Sequence, residues 1–321
     1  MSSLQHRFGA HLSIAAGVQR ALRAGRSLGC QVVQLFVKNQ RQWHARPLEP
    51  ADVQQWQKLQ ATCGLDPPVA QAGYLINLAS PDPKLHARSF QALVDELERC
   101  DLLDIPYLVI HPGSATDGSR ARGIARVAAT LNRVFEQHPR LRTMPLLETT
   151  AGQGNALGRS FEELGEIIRS VQEPRRIGVC IDTCHVFAAG YDIRRPEGYR
   201  AMVQTAVRQV GLDRIRCWHL NDSRAPCGSH LDRHEHIGRG WLGKTAFINL
   251  LADTRFVGLP MIIETPKGTD GLGRNWDRLN LRRLRAIAAD AGSAAAPAEK
   301  PRGHLPPRPA DIGSPASTRS V

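Results

Sequence analysis

Short apolar runs alternate along this chain with longer stretches in which apolar positions recur every three or four residues. The short runs read as buried strands, and the three-to-four spacing reads as helices with one face on a core. Strands are expected at Arg7–His11, Val32–Val37, Pro68–Gln71, Tyr107–Ile110, Pro145–Leu147, Val179–Ile181, Ile215–Leu220 and Met261–Ile263. Helices are expected at Ala15–Leu28, Pro50–Thr62, Pro83–Leu103, Gly123–Gln137, Ser160–Val171, Pro196–Val210, Lys244–Ala252 and Trp276–Ala289. The third of these puts Phe90, Leu93, Val94 and Leu97 along one face. Eight strands, each followed by a helix, over roughly 290 residues is the count and size of an α/β protein of the (β/α)8 TIM-barrel class. The alternative is an open doubly wound sheet. That fold usually carries a glycine fingerprint after its first strand, where this chain has Ser13-Ile-Ala-Ala-Gly17.

The apolar runs end in a particular kind of residue. Val179–Ile181 is followed by Asp182, with His185 three positions on. Strand four ends in His111, five in Glu148, seven in His219 and eight in Glu264. In a barrel these ends converge on the face that holds active sites. The loop after strand seven adds Asp232 and His234, a pair that an extended segment points the same way. Any one of these eight is more often a satisfied polar group than a ligand. Together on one rim they would repel one another and lose solvation unless cations were present. Histidine and carboxylate without thiolate suit zinc, then manganese, and eight ligands exceed one tetrahedral ion, so a cluster of two or three is expected. Asp222 and His236 are nearby in sequence and rank as supporting or structural.

Two glycine motifs carry less. Gly238-Arg-Gly-Trp-Leu-Gly-Lys-Thr245 fits the P-loop pattern, but the residues leading into it are Asp232-Arg-His-Glu-His236, not a buried strand. Gly152-Gln-Gly154 follows strand five and fails the dinucleotide fingerprint at its last glycine.

Charge narrows the partner. The chain has 321 residues, 42% of them hydrophobic, with a formal charge of +12 and a pI near 9.9. From Ala291 onward the sequence turns to Ala, Pro, Ser, Gly and Arg without apolar periodicity, and residues 291–321 are expected to be a disordered tail after a barrel domain over 1–290. That tail carries +2, leaving +10 on the body, which favours a polyanionic partner with nucleic acid first. Seven scattered cysteines, several inside apolar runs, fit reduced thiols in a cytoplasmic protein. There is no long apolar leader and no run of 18 apolar residues, so neither secretion nor a membrane span is expected.

At this point the residues resemble a family. The stretches Gly9-Ala-His-Leu-Ser13, Phe36-Val-Lys-Asn-Gln-Arg41-Gln-Trp43, Tyr74-Leu-Ile-Asn-Leu78, His111-Pro-Gly-Ser114, Glu148-Thr-Thr-Ala-Gly-Gln-Gly154, Gly178-Val-Cys-Ile-Asp-Thr-Cys-His185, His219-Leu-Asn-Asp222, Asp232-Arg-His234 and Ile263-Glu-Thr265 are similar to bacterial endonuclease IV, in that family's order. The resemblance implies a TIM barrel with three zinc ions. It also implies hydrolysis of the phosphodiester 5′ to abasic sites in double-stranded DNA, trimming of blocked 3′ ends, and a single chain as the working unit. It assigns one zinc to His185, Asp232 and His234, and a second to Glu148, Asp182, His219 and Glu264. The third would take His111, Glu148 and a histidine at the end of strand three. Gln71 stands there instead, a neutral amide and a poorer zinc ligand than imidazole. Glu148, Asp182 and Glu264 are the catalytic carboxylates it implies. Arg41, Tyr74 and Leu75 match positions that contact DNA, where such side chains wedge into a bent duplex; ordinary core packing is an equal expectation for Tyr74 and Leu75. Arg239 departs from the pattern, in a turn that is usually acidic. Two other readings remain open: a metal-dependent sugar isomerase or epimerase on the same barrel, and an abasic-DNA binding protein whose catalysis was weakened with Gln71.

Overall fold

A computed structural model describes residues 6–294. Eight parallel strands close into a barrel: β1 (Arg7–Leu12), β2 (Val32–Phe36), β3 (Val69–Gln71), β4 (Tyr107–Ile110), β5 (Met144–Glu148), β6 (Gly178–Asp182), β7 (Ile215–His219) and, after a two-stranded hairpin of β8 (Asp222–Ser223) and β9 (His234–Glu235), β10 (Pro260–Ile263). Each barrel strand pairs with its sequence neighbour, and β10 closes the ring between β7 and β1. The outer layer is α1 (Gln19–Leu28), α2 (Pro50–Cys63), α3 (Pro83–Leu102), α4 (Arg120–Gln137), α5 (Phe161–Arg169), the short α6 (Thr183–Ala188), α7 (Pro196–Val210), α8 (Gly243–Leu251) and α9 (Trp276–Ala294). The expected barrel and all eight expected strands are present.

Strand alternation divides the core in two. Residues that point outward, such as Val33, Leu35, Ala70, Leu108, Leu147, Val179 and Ile181, join the helix faces in one large apolar cluster. Residues that point inward form a separate cluster in the barrel: Val32, Val69, Val109, Leu146, Cys180, Cys217 and Ile262. That inner layer is the floor beneath the site.

Several boundaries moved for local reasons. The first helix starts at Gln19 and not Ala15, because Ala16 and Gly17 both take positive φ and turn the chain. The fourth starts earlier than expected, at Arg120, where the Ser119 hydroxyl accepts from Arg122 N. Residues 183–188, where no helix was expected, form one capped by Asp182, whose Oδ1 accepts from His185 N at 2.9 Å. The last helix runs to Ala294, so the first four residues of the expected tail are helical; residues 295–321 lie outside the described residues. No helix among the described residues is long and apolar enough to cross a membrane. All seven cysteines are free thiols.

Candidate metal centre

The inner floor dictates what lies above it. In each strand the next inward position is two residues further on. Above Gly9, Val32, Val69, Val109, Leu146, Cys180, Cys217 and Ile262 come His11, Gln34, Gln71, His111, Glu148, Asp182, His219 and Glu264. Every barrel strand thus gives one polar side chain to a single ring at its carboxyl end. Six of these were expected from the sequence, Gln71 among them. His11 and Gln34 were not.

Contacts bind the ring together. Glu148 is its hub: Oε1 lies 2.9 Å from His219 Nδ1, and Oε2 lies 3.0 Å from His111 Nε2 and 3.1 Å from Gln71 Nε2. His219 Nδ1 is also 3.2 Å from Glu264 Oε2 and 3.9 Å from Asp182 Oδ2. One ligand atom each from Glu148, Asp182, His219 and Glu264 fit within 4.8 Å of one another, as do those of His111, Glu148 and His185. On the far side, Asp232 reaches His185 Nε2 at 3.1 Å and His234 Nε2 at 3.3 Å. All eight sequence-expected ligands are therefore gathered in one place.

Three histidines of the site are each tied by one nitrogen and leave the other facing carboxylates. His219 Nε2 donates to Gln34 Oε1 at 2.8 Å, His185 Nδ1 to Thr149 O at 2.8 Å, and His234 Nδ1 to Glu264 O at 3.2 Å. That fixes the tautomer in which the second nitrogen offers a lone pair, which is how metal-binding imidazoles are held. His185 Nε2 and His234 Nε2 are buried and make no hydrogen bond, although Asp232 oxygens are close. Donor atoms that crowd together without bonding each other are aimed at a shared point. The carboxylates are held too: Asn221 Nδ2 donates to Asp182 at 2.6 Å, and Gln34 Nε2 donates to Glu264 at 2.6 Å. The residues present fit a group of divalent cations.

Electrostatics agree. Burial opposes charge on His234, but Asp182 and Asp232 outweigh it and hold the imidazole at about 9. Burial likewise opposes ionisation of Glu148, yet His219 and His111 keep its carboxyl well below the ordinary range. Without cations this cluster must borrow protons, and cations would displace them.

Gln71 faces the ring as expected, but it presents its N–H to Glu148 while its oxygen lies 3.4 Å from Gln34 Nε2. It therefore competes for the oxygen that a cation between Glu148 and His111 would need. Cys184 lies beside Asp232 and His234; burial pushes its thiol up to about 12, and its Sγ is 3.7 Å from Arg233 O, so it stays a protonated neighbour. Asp222 and His236 stand outside the ring. Asp222 accepts from the amides of Gly240 and Leu242, and His236 stacks on Trp276 with ring centroids 3.7 Å apart. The P-loop-like stretch follows the two-residue β9, with no buried strand leading into it.

The two loops expected to read DNA border the ring. Arg41 is exposed and, with His11, Phe36 and Lys267, lines an open cavity of about 900 Å3. Tyr74 is 67% exposed with its ring edge-on to Phe36, so it is not a core residue, while Leu75 is half-buried. Both loops hang on α3. Glu96 Oε2 accepts from Gly73 N at 3.0 Å, Lys38 Nζ pairs with Asp95 at 2.8 Å and Glu96 at 3.4 Å, and Arg99 donates to Arg46 O at 2.6 Å. Burial, only partly offset by Lys38, raises the Glu96 carboxyl to about 7. A carboxyl raised on folding stabilises the fold fully below its unfolded value and loses that contribution as pH rises through about 7. Glu96→Gln should therefore flatten the fall in melting temperature between pH 5 and pH 8. The parent should lose on the order of 2 kcal/mol more than the variant across that span. Parallel curves would remove Glu96 as the cause.

Fold and site together define a metal-binding TIM barrel. The profile of the xylose isomerase-like TIM barrel family matches residues 22–289. The chain is 49% identical over 285 residues to the probable endonuclease 4 of Chloroflexus aurantiacus strain J-10-fl, covering 89% of this chain and 99% of that protein. It is 44% identical over 279 residues to that of Geobacter sulfurreducens, covering 87% and 93%. The crystal structure of endonuclease IV from Thermus thermophilus superposes with a TM-score of 0.78 at 36% identity, covering 88% of this chain and 99% of that one. A D-tagatose 3-epimerase-like protein, at 17% identity and a TM-score of 0.69, shares the fold alone. The chain belongs to the endonuclease IV family.

Proposed function

We propose that this protein is a metal-dependent endonuclease of DNA repair, hydrolysing the phosphodiester 5′ to abasic sites and trimming blocked 3′ ends. Membership of the endonuclease IV family supports the class of reaction. The observation that carries the reading to this chain's own residues is the ring of eight strand-end side chains, with the unbonded imidazole nitrogens of His185 and His234 beside it. His185, Asp232 and His234 would hold one zinc, and Glu148, Asp182, His219 and Glu264 another. His111 and Glu148, with Gln71 in place of a third strong ligand, would hold the last; manganese suits the same donors. Divalent cations so held supply Lewis-acid chemistry, making water more acidic and offsetting charge on phosphate oxygens.

The chain's own groups do the rest. Glu148, Asp182 and Glu264 are the carboxylates at the centre, placed to hold the reacting phosphate's surroundings and to take a proton. Gln34 and Asn221 fix Glu264 and Asp182 so that the centre does not relax between turnovers. Arg41, Tyr74 and Leu75 line the rim, where they would enter the duplex and keep the abasic sugar turned into the cavity. The ring is complete within one chain, which favours a monomer. Seven free thiols favour the cytoplasm.

A duplex with a single tetrahydrofuran abasic analogue tests the reading. Incision 5′ to the analogue is expected; turnover of a panel of ketoses with intact duplex would favour an epimerase, and tight binding without incision at any metal concentration a damage-binding protein. Arg41→Ala and Tyr74→Ala should each lower incision at sub-saturating DNA about tenfold, roughly 1.4 kcal/mol, with metal content unchanged. Rates equal to the parent's in both variants would count against the wedge. Affinity for the duplex should also fall steeply with salt as counterions are released.

A further inference from the structure

Beyond the ring, an aromatic side chain is held outward on a locked turn. Trp241 is 54% exposed. Its backbone is fixed, with Trp241 N donating to Ser223 O at 2.7 Å and the flanking amides of Gly240 and Leu242 donating to buried Asp222. The turn sits so close that a Cβ on Gly240 would lie 2.2 Å from Ser223 O. Ser223 pairs in turn with the metal-type residue His234. The backbone of the turn is thus about two strand-widths, roughly 10 Å, from that of His234. Positive charge gathers round it. Arg239, on the same turn, is exposed and makes no ion pair among the described residues; its guanidinium lies 5.1 Å over Trp276. Arg283 lies over the same ring at 5.8 Å. Burial, then the charges of Arg239, Arg282 and Arg274, hold Arg283 below the ordinary arginine range, which marks how crowded the cations are. Arg224 is paired with Glu235 at 3.1 Å, and the two share with Arg239, Gly240 and Trp241 a shallow cavity of about 500 Å3.

We infer that the turn Gly238–Leu242 is a second nucleic-acid contact, in which the Trp241 indole stacks on an unpaired or terminal nucleobase and Arg239 faces the adjoining phosphate. This rests on the endonuclease reading and extends it to the strand that flanks the lesion. Nucleic acid fits better than a protein partner because the indole shares its cavity with the guanidiniums of Arg224 and Arg239, and its loop follows a barrel strand on the face that holds the ring. A base stacked on an aromatic side chain contributes about 1–3 kcal/mol, whatever its identity.

The test is fluorescence anisotropy with the full chain and its metal, using labelled oligothymidine and the tetrahydrofuran duplex with a short 3′ overhang. Trp241→Ala should weaken both about fivefold or more, while Trp241→Phe keeps most of the affinity. Arg239→Ala should lower the slope of log affinity against log salt by about one. Incision at saturating duplex should stay at the parent's rate in all three, with equal metal content. If Trp241→Ala binds both oligonucleotides within twofold of the parent while the parent incises normally, the platform is overturned and the endonuclease reading stands. If the parent neither binds nor incises the duplex, both fall.

Discussion

Glu148→Gln should lower incision of abasic duplex about a thousandfold and reduce the metal held per chain by at least one. The substitution keeps the shape of the side chain, so the barrel should fold. What it removes is the charge at the point where four strands meet. Glu148 alone touches His111, His185, His219 and Gln71, and its two oxygens serve different neighbours. An amide leaves one oxygen and turns an N–H toward imidazole nitrogens that need an acceptor or a cation. The usual cost of removing one strong donor from a preorganised polar site is two to three powers of ten. Here the lost group is shared by two of the proposed metal positions, so the upper end is expected. Incision within tenfold of the parent, with unchanged metal content, would mean that the ring is not the reaction centre.

Gln71→His should act in the opposite direction. In the parent the Gln71 amide donates to Glu148 Oε2, the oxygen that His111 also faces. An imidazole there would offer a lone pair toward the same point and remove the competing N–H. The parent is expected to hold fewer than three tightly bound metals per chain, with incision that rises when zinc is added. The histidine variant should gain about one metal and about tenfold or more in rate at low free zinc. Mass-spectrometric metal counts beside incision rates decide it. Three retained metals in the parent, with no gain from histidine, would show that the amide is no handicap.

Much of this site was legible because the barrel repeats one rule eight times. A polar residue of metal type at the end of an apolar run occurs at His111, Glu148, Asp182, His219 and Glu264, and the strands carry all five to one rim. His11 obeyed the same rule at the end of the first strand and could have been found by it; its Nδ1 lies 3.0 Å from Glu264. Gln34 was harder. It sits inside Val32–Phe36, where a single amide among apolar residues reads as an interruption of the strand. The signal was its register, two residues after the floor residue Val32, and that becomes visible only once strand pairing is known. Asp232 and His234 were found as a pair, but the hairpin that places His234 opposite Ser223 is two residues per strand, too short for any periodicity. The helix after Asp182 was missed because its cause is one cap and not a pattern. The loops that carry Arg41 and Tyr74 were located by resemblance, while their attachment to α3 depends on Lys38 and Glu96 meeting across the fold, which no local sequence feature encodes.

The central claim is that this ring holds the cations on which DNA incision depends. One measurement addresses it directly: metal per chain and incision of a tetrahydrofuran duplex, followed on one preparation through chelation and re-addition of zinc. The expected result is at least two metals bound at the start, both metal and incision lost together on chelation, and incision recovered as zinc returns. Undiminished incision by protein stripped of metal would contradict the claim outright.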